Sequence, residues 1–363
     1  MHPTVLLLSI ALSSACLAPP PHAQTDAALP LRRIAFGSCF QSDGPPEIWT
    51  TIAEYDPELL ILLGDNVYAD TEDMDVMRAK YAELDAVPAF AGLRASTTLL
   101  ATWDDHDYGV NDGGADYPMR SQAKEVFLDF LGEPRTSPRR EREGIYDARV
   151  FGPRGKRVQV ILLDTRYFRG PLTKAPETAL RFAAALGRLG SYVGNTDPAA
   201  TVLGEAQWAW LERELEKPAE IRILASSIQI VAEDHHFERW ANFPHERKRL
   251  FKTLRRTGAN GVVAISGDRH MAEISVLDAS RAEPDTALDP GYAFIDVTSS
   301  SLNRPSTWRN EVNRHRVGSA YFDVNFGTLE LDWESGQLRL SIRNDSGQEA
   351  IRFEVAFDEL KPH

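Results

Sequence analysis

Residues 59–68 read Leu59-Leu60-Ile61-Leu62-Leu63-Gly64-Asp65-Asn66-Val67-Tyr68, an unbroken apolar run followed by glycine and then by polar and aromatic side chains. A short apolar run that stops at a turn residue is typical of a strand buried on both faces. The same pattern recurs at residues 261–266, which are followed by Gly267-Asp268-Arg269-His270. Because α/β enzymes bind ligands beyond the carboxyl ends of such strands, we expect the chemistry of this chain to lie there.

Strand and helix patterns alternate outward from these two segments, and the last quarter of the chain is rich in strands alone. Six strands are expected at residues 34–39, 59–63, 96–103, 158–163, 221–229 and 261–266. Helices are expected at 47–55, 74–84, 119–131, 177–189, 204–216 and 246–256. The terminal strands are expected at 292–297, 321–326, 328–333, 338–342 and 350–357. This order predicts an α/β fold with two stacked mixed sheets flanked by helices.

Composition limits the class of protein. The chain has 363 residues, 43% of them hydrophobic, with 16 Phe, which is enough to fill a sizeable core. A net charge of −13 argues against a nucleic-acid binder that depends on a basic surface. It does not argue against an enzyme acting on phosphate, because bound cations reverse the local field.

Residues 1–24 differ from the rest of the chain. Val5 to Leu12 form an apolar run that is too short to span a bilayer. We interpret residues 1–24 as a secretory signal, which predicts an exported protein, periplasmic or extracellular. Lipid anchoring through Cys16 stays open, although Ser13 stands where a lipidation motif prefers Leu. Residues 25–363 show no repeat or low-complexity linker and are expected to form one domain.

Several predicted strands end on groups that can bind metal. Cys39, Asp65, Asp164 and Asp268 each follow an apolar strand, and the third strand runs into Asp104-Asp105-His106-Asp107. A single Asp after a strand is often a helix cap. Carboxylates from so many strands would repel one another in one crevice unless cations lay between them. The pattern therefore predicts metal ions that in turn bind a phosphate.

Tyr68 and Cys39 could bind a ferric ion, or they could have ordinary structural roles. Tyr68 lies three residues after Asp65, and only a strong Lewis acid such as ferric iron would hold its phenolate near neutral pH, with Cys39 as thiolate. An ordinary hydrogen-bonded tyrosine and an inert buried cysteine are the alternatives.

The third motif supplies acid and base candidates. Adjacent side chains point in different directions, so His106 could act as general acid while Asp105 binds metal and Asp107 orients the imidazole. Asn111 could add a neutral oxygen ligand. A solvated surface cluster is the alternative for this stretch.

In combination, these motifs resemble the signature of the PhoD-like alkaline phosphatases, within the calcineurin-like metallophosphoesterases. The resemblance rests on Gly-Ser-Cys, Gly-Asp-Asn-Val-Tyr, Trp-Asp-Asp-His-Asp, Leu-Asp-Thr-Arg, Leu-Gly-x-x-Gln-x-x-Trp-Leu and Gly-Asp-Arg-His, between residues 34 and 302. It implies an α/β/β/α sandwich and an exported enzyme that hydrolyses phosphomonoesters and phosphodiesters. It also implies Fe3+ bound by Cys and Tyr beside Ca2+, with Mn2+, Zn2+ or Mg2+ as other possible ions. Carried onto this sequence, the implied metal ligands are Cys39, Asp65, Tyr68, Asp105, Asn111, Asp268 and His270.

The chain also departs from the family pattern. Asp107 stands where many members have Glu, and the extra N-terminal β domain of larger members is not expected here. No capping element over the site can be identified from the sequence. The sequence therefore predicts the metal ligands in more detail than it predicts the substrate pocket.

The sequence predicts a metal-dependent phosphoesterase in which a metal-activated water or hydroxide attacks phosphorus. Its partners would be phosphate-ester small molecules or phospholipid head groups, with no specific nucleic acid and no transmembrane segment. A narrow phosphodiesterase or phospholipase, and a non-catalytic exported protein that binds metal or phosphate, are the alternatives.

Several further residues could contribute to the site. Arg166 could clamp a phosphate oxygen or form a salt bridge to Asp164. A histidine pair after the fifth strand could contact metal or substrate, or lie in solvent. A nearby group of three residues could form an aromatic wall for the leaving group, or it could simply pack in the core or in a lid. These secondary positions are His235 and His236, then Trp240, Asn242 and Phe243.

Overall fold

A computed structural model describes residues 29–185, 190–278 and 288–362. The predicted signal at 1–24, with Cys16, lies outside the described residues, as do positions 186–189 of the helix expected at 177–189. In the described ranges, no helix is both long and apolar enough to cross a membrane.

The strands are short in the first part of the chain and longer at its end. They are β1 (Arg33–Gly37), β2 (Leu59–Leu63), β3 (Thr98–Thr102), β4 (Asp147–Phe151), β5 (Val158–Leu162), β6 (Thr173–Lys174), β7 (Tyr192–Val193), β8 (Ile221–Ala225), β9 (Val262–Ser266), β10 (Ala272–Leu277), β11 (Phe294–Ser299), β12 (Asn325–Asp332), β13 (Gln337–Asn344) and β14 (Glu349–Ala356). The helices are α1 (Ile48–Tyr55), α2 (Met74–Asp85), α3 (Pro88–Ser96), α4 (Asp105–Tyr108), α5 (Arg120–Phe130), α6 (Pro138–Glu141), α7 (Glu177–Ala185), α8 (Gly204–Leu215) and α9 (Pro244–Thr257).

Two six-stranded mixed sheets form the centre of the fold. The first has the order β14-β13-β12-β1-β2-β3 and the second β10-β11-β9-β8-β5-β4. Strands β1, β2 and β3 run parallel, and so do β5, β8, β9 and β11. Strands β6 and β7 form a separate two-stranded ribbon. Each large sheet therefore gathers several carboxyl ends at one edge, where loops can carry chemistry.

Alternation along the strands explains the layers. In β2, Leu59, Ile61 and Leu63 pack in the core shared with the second sheet, whereas Leu60 and Leu62 pack in a second core. That second core contains the buried faces of α1, α2, α3 and α5. Helices α8 and α9 contribute their apolar faces to the core of the second sheet. The predicted arrangement of two stacked sheets flanked by helices is confirmed.

Three details of the predicted elements are wrong. The expected strand at 96–103 starts only at Thr98, because the preceding residues form α3 with Pro88 in its first turn. The expected strands 321–326 and 328–333 are replaced by one strand, β12, which begins only at Asn325 and runs through Gly327 without a break in the ladder. The sequence also gave no signal for the antiparallel strands β4 and β10, which form opposite edges of the second sheet.

Candidate metal centre

Both sheets deliver polar side chains to the same edge of the sandwich. Cys39 follows β1, Asp65 follows β2, and the Asp104–Asp107 run follows β3, all in the first sheet. Asp268 and His270 follow β9 in the second sheet. Four groups of acidic, histidine and cysteine side chains form here, each with donor atoms within 4.8 Å of one another. These groups could hold metal ions.

The backbone at four of these positions is unusual. Cys39, Asp65, Asp268 and His270 have φ angles of 62°, 48°, 69° and 54°. A positive φ is uncommon for residues other than glycine, and such conformations cluster at functional sites, where the surrounding structure holds them. Each residue lies just past a strand end, so the left-handed turn directs the chain sharply away from the sheet.

One group combines a thiol, a carboxylate and an imidazole. Cys39 Sγ lies 3.4 Å from Asp65 Oδ2, and the Tyr68 hydroxyl donates to the same oxygen over 2.9 Å. The Tyr68 oxygen is also 3.2 Å from His270 Nε2. Burial and the negative charge of Asp65 raise the pKa of both Cys39 and Tyr68 well above their usual values. A nearby cation is therefore what would make thiolate and phenolate accessible.

The remaining groups are richer in carboxylates. They comprise Asp65, Asp105 and His106; Asp104, Asp105 and Asp268; and Asp105, Asp112 and Glu238.

The carboxylates of these groups oppose one another's ionisation. Burial and the charge of Asp105 raise the pKa of Asp65 well above its usual value. Burial also raises the pKa of Asp268 to about 7, against the opposing effect of Arg269. Asp104 Oδ2 is buried and has no hydrogen-bond partner among the described residues. Desolvated, mutually repelling carboxylates with an unused oxygen fit cations as their missing partner.

The mixture of donors separates two kinds of site. Thiol, phenol and imidazole groups suit transition metals, whereas oxygen donors alone suit hard divalent cations. Cys39, Tyr68 and His270 supply the first kind, and the carboxylate groups supply the second. The residues present therefore fit metal ions of both classes.

His106 has a carboxylate partner, but it is not the one expected from the sequence. Its Nδ1 lies 2.7 and 2.8 Å from the two oxygens of Asp70, so Nδ1 carries the hydrogen and donates. Burial disfavours the charged ring, yet Asp70, Asp65 and Asp105 together raise the pKa of His106 to about 9. Asp107 instead faces the backbone: it accepts from the N–H groups of Asp65, Asn66 and Asp104.

Arg166 is wholly buried and forms ion pairs with carboxylates. Its Nε donates to Asp104 Oδ1 over 2.5 Å, and its NH1 pairs with Glu238. Neither of the two interpretations from the sequence describes this arrangement. Asp164 contacts Arg166 only through the backbone N–H, because its carboxylate also accepts from Ile145 N, Tyr167 N and Trp103 Nε1.

Of the other residues predicted from the sequence, one is exposed and several are buried in the interior. Asn111 is exposed, while the next residue, Asp112, has the carboxylate that groups with Asp105 and Glu238. His235 is buried and its Nε2 lies 2.9 Å from Gln229 Oε1. Secondary candidates that are fully or almost fully buried, and therefore pack in the interior, are Trp240, Asn242 and Phe243.

Sequence reasoning missed four acidic residues. Asp104 belonged to a recognised motif but was not singled out, although its position at the strand end was a usable signal. Asp70 follows Tyr68 by two residues, and Asp112 follows Asn111 directly. Glu238 lies in an irregular stretch after β8, where no periodic pattern or strand end identifies it.

Comparisons with known proteins agree with this geometry. The sequence pattern of the PhoD-like phosphatases matches residues 34–349. A solved structure described as "Structure of PhoD" superposes with a TM-score of 0.69 at 18% sequence identity, covering 94% of this chain and 72% of that chain. Among curated protein sequences, none matches. The chain thus belongs to the PhoD-like phosphatase family and is a metal-dependent phosphoric ester hydrolase.

Proposed function

We propose that this protein is an exported enzyme that hydrolyses both phosphomonoesters and phosphodiesters. The observation that carries the proposal is the convergence of Cys39, Asp65 and Asp268 from different strands, each in a left-handed conformation, on groups of donor atoms that could hold metal. Phosphate-ester small molecules and phospholipid head groups are the substrates we propose. An amino-terminal apolar run, Val5 to Leu12, supports export.

We assign metal binding to two sets of side chains. Cys39, Tyr68 and His270 would hold Fe3+, because a thiolate and a phenolate stabilise a ferric ion. The carboxylates of Asp105 and Asp268 would hold Ca2+, which prefers oxygen ligands; Mn2+, Zn2+ or Mg2+ are alternatives there. Bound cations supply positive charge to the phosphoryl oxygens and acidity to an attacking water.

Asp65 and Asn111 complete the proposed ligand set. Asp65 belongs to two of the four groups, which supports a position between two ions. Asn111 would reach the site only through a change in its loop, since it is exposed and Asp112 holds the nearer position.

His106 is the general acid in this proposal. With Nδ1 donating to Asp70, Nε2 is the nitrogen that would give a proton to the leaving oxygen. The hydrogen bond with Asp70 raises the pKa of His106 and so favours the charged ring that proton donation requires. Asp70 acts as a positioning residue, because it fixes both the tautomer and the direction of the ring.

Asp107 and Arg166 support the reacting groups without contacting the substrate. Asp107 accepts from backbone N–H groups of the turns after β2 and β3, which fixes Asp65 relative to Asp104. Arg166 pairs with Asp104 and Glu238, which offsets part of the cost of burying these carboxylates. From the sequence, Asp107 was expected to orient the imidazole of His106, and Arg166 either to clamp a phosphate oxygen or to pair with Asp164; we propose these supporting roles instead.

We further propose that residues 25–363 form one catalytic domain after removal of residues 1–24. The match of the family pattern over residues 34–349 supports a continuous domain. Mass spectrometry of the exported protein would locate the new amino terminus, and a lipid on Cys16 would contradict cleavage after residue 24.

Hydrolysis of bis(p-nitrophenyl) phosphate and p-nitrophenyl phosphate tests the function. The mature chain is assayed as purified, after chelation, and after reconstitution with iron and calcium. We expect chelation to abolish both activities and reconstitution to restore them. Activity toward the diester alone would favour a narrow phosphodiesterase. Tight phosphate binding without turnover would favour a binding protein.

Asp268→Asn tests the metal assignment. The variant should lose bound metal and lose at least about 100-fold in kcat/KM, because a buried charged ligand is replaced by a neutral group. Asp345→Asn, at an exposed turn, is the matched control and should retain both. Full metal content and activity in Asp268→Asn would contradict the assignment.

Visible absorption tests the identity of the ion independently of activity. Ferric iron bound to Tyr68 should give the protein a charge-transfer band that Tyr68→Phe removes. An iron-loaded but colourless protein would refute iron binding by this residue.

A further inference from the structure

We propose that Arg304 binds a non-leaving oxygen of the substrate phosphate and contributes more to the hydrolysis of doubly charged phosphomonoesters than to that of phosphodiesters. The inference rests on the proposed function, since it assigns a substrate contact within the same site. It concerns a side chain outside every metal-binding group and outside every motif found in the sequence.

Arg304 stacks on Tyr68, one of the candidate metal ligands. Its guanidinium carbon is 4.0 Å from the centroid of the Tyr68 ring, and the Tyr68 hydroxyl contacts both Asp65 and His270. A half-buried cation therefore lies against Tyr68, and part of it remains accessible to a ligand.

The backbone on both sides of Arg304 is fixed to the turns that carry the site. Leu302 N donates to Ser38 O over 2.9 Å, and the side chain of Asn303 exchanges hydrogen bonds with the backbone of Gln41. Ser306 N then donates to His270 O over 2.8 Å. Arg304 is thus held between two anchors, which reduces the conformational entropy that binding a phosphate would cost.

The other arginines near the centre are already paired. Arg166 pairs with Asp104 and Glu238, and Arg169 Nε lies 3.1 Å from Glu238 Oε1. Arg269 pairs with Glu311.

Arg304 differs from these three in the described part of the chain, where no carboxylate comes within ion-pair distance of it. Stacking on Tyr68 orients the guanidinium plane but leaves its N–H groups free to donate. It is therefore the arginine available to a substrate oxygen.

Charge explains why this contact should favour monoesters. A phosphomonoester carries two negative charges near neutral pH and a phosphodiester only one, so the monoester has an additional anionic oxygen. Guanidinium groups bind pairs of phosphate oxygens through parallel hydrogen bonds. In a diester, Arg304 would contact a phosphate group that carries less negative charge. The second ester group would also block part of the hydrogen bonding from the guanidinium.

The test compares two substrates with the same leaving group. In Arg304→Gln, kcat/KM for p-nitrophenyl phosphate should fall roughly 10- to 100-fold, the range expected for loss of a charged hydrogen bond. For bis(p-nitrophenyl) phosphate it should fall less than about threefold. The inhibition constant of inorganic phosphate should rise in parallel with the monoester effect, and metal content should be unchanged.

Arg309→Gln is the matched control, because Arg309 lies in the same segment but pairs with Asp323 away from Tyr68. Its kinetics should equal those of the wild type. Arg304→Lys keeps the charge but not the bidentate geometry, so it should recover part of the monoester activity. Should Arg304→Gln not fold, the selective monoester loss must appear in Arg304→Lys instead.

The outcomes separate the two proposals. Suppose that the wild type hydrolyses both esters. If Arg304→Gln then lowers kcat/KM equally for both substrates, lowers neither, or loses bound metal, the role of Arg304 is overturned and the proposed function stands. A reconstituted wild type that hydrolyses neither ester would overturn the proposed function and this inference with it.

Discussion

Asp107 holds the turns of the first sheet together although it does not point toward the reacting groups. Its carboxylate accepts from three backbone N–H groups and from the Tyr81 hydroxyl at 3.1 Å. Burial raises its pKa to about 6, while the donors favour the charged form. A residue of this kind determines where its neighbours stand, and Asp70 does the same for His106 by direct contact with the ring.

Asp70→Asn should slow catalysis without removing metal. The amide cannot hold His106 as a carboxylate does, so the pKa of the imidazole falls and its orientation loosens. We expect kcat for phenyl phosphate, a poor leaving group, to fall roughly 10- to 100-fold, and kcat for p-nitrophenyl phosphate to fall much less.

Metal content and thermal unfolding of Asp70→Asn should match the wild type. Asp73→Asn, at the start of α2, is a control on the same loop. An equal loss of rate with both leaving groups would mean that Asp70 does not act through proton transfer.

Strands β1 and β12 approach closely because residue 327 has no side chain. A Cβ at Gly327 would lie 2.1 Å from the Phe36 ring, which fills the space above the strand. Gly327→Ala should therefore destabilise the protein by about 1–3 kcal/mol through overpacking. Urea unfolding measures this as a lower midpoint at unchanged slope.

The same substitution at Gly92 is the control. No atom lies within 4 Å of a Cβ at that position in α3, so Gly92→Ala should be neutral or stabilising by roughly 0.5–1 kcal/mol. A Gly327→Ala protein as stable as the wild type would show that Phe36 moves aside at no cost.

Glu233 connects the loop after β8 to helix α9. Its carboxylate is 2.7 Å from Arg247 NH1 and 3.2 Å from His315 Nε2. The hydrogen bond from His315 is the main cause that lowers the pKa of Glu233 to about 2; burial opposes the shift, and Arg247 adds to it. An unfolded glutamate titrates near pH ~4.3, so the folded state binds fewer protons below that pH.

A lowered acid pKa contributes stability that is present above the unfolded pKa and lost as the pH falls toward the folded one. Relative to Glu233→Gln, the wild type should be more stable by roughly 1–2 kcal/mol at pH 6, after allowance for partial solvent screening. The difference should shrink between about pH 5 and about pH 2. Glu334→Gln, an exposed control, should show no such change; a difference that is constant with pH would exclude the ionic contribution.

On the scale of the whole molecule, the candidate centre joins the two sheets. Cys39, Asp65 and Asp105 come from the first sheet, and Asp268 and His270 come from the second. Without cations, desolvation and repulsion among these carboxylates oppose their approach, as the raised pKa values of Asp65 and Asp268 indicate. Metal binding should therefore stabilise the packing of one sheet on the other.

Chelation should lower the midpoint of thermal unfolding by several degrees, and added metal should restore it. A ligand present at 1,000 times its Kd stabilises the folded state by about 4 kcal/mol. The midpoint of the Asp268→Asn protein should not rise when metal is added. Identical unfolding of the wild type with and without chelator would contradict a structural contribution from metal.

The sequence predicted the centre of the fold better than its edges. Strands β2 and β9 were recognisable because both faces are buried and their residues are uniformly apolar. Edge strand β4 is only partly buried and reads Asp-Ala-Arg-Val-Phe, so it lacks such a run. Helix α3 was missed since its short segment carries both Pro88 and Gly92, which disfavour a helix prediction.

Site residues that directly follow a strand could also be predicted from the sequence better than those in irregular segments. Ligand candidates such as Asp65 and Asp268 follow strands directly, and a strand end can be recognised from the sequence. Glu238 and Arg304 reach the same place from long irregular segments. Their positions depend on tertiary contacts, for which no periodic pattern exists.

The left-handed backbone at the candidate ligands also restricts how this chain can change over evolutionary time. Asp65 and Asp268 hold φ angles that asparagine, aspartate and glycine accept readily and that most other residues accept only with strain. A glutamate at either position, although chemically closest, would add a methylene to a residue whose backbone conformation it disfavours. Substitution at these two positions is therefore restricted mainly to asparagine or glycine, which would keep the backbone conformation while removing the carboxylate that we propose as a metal ligand.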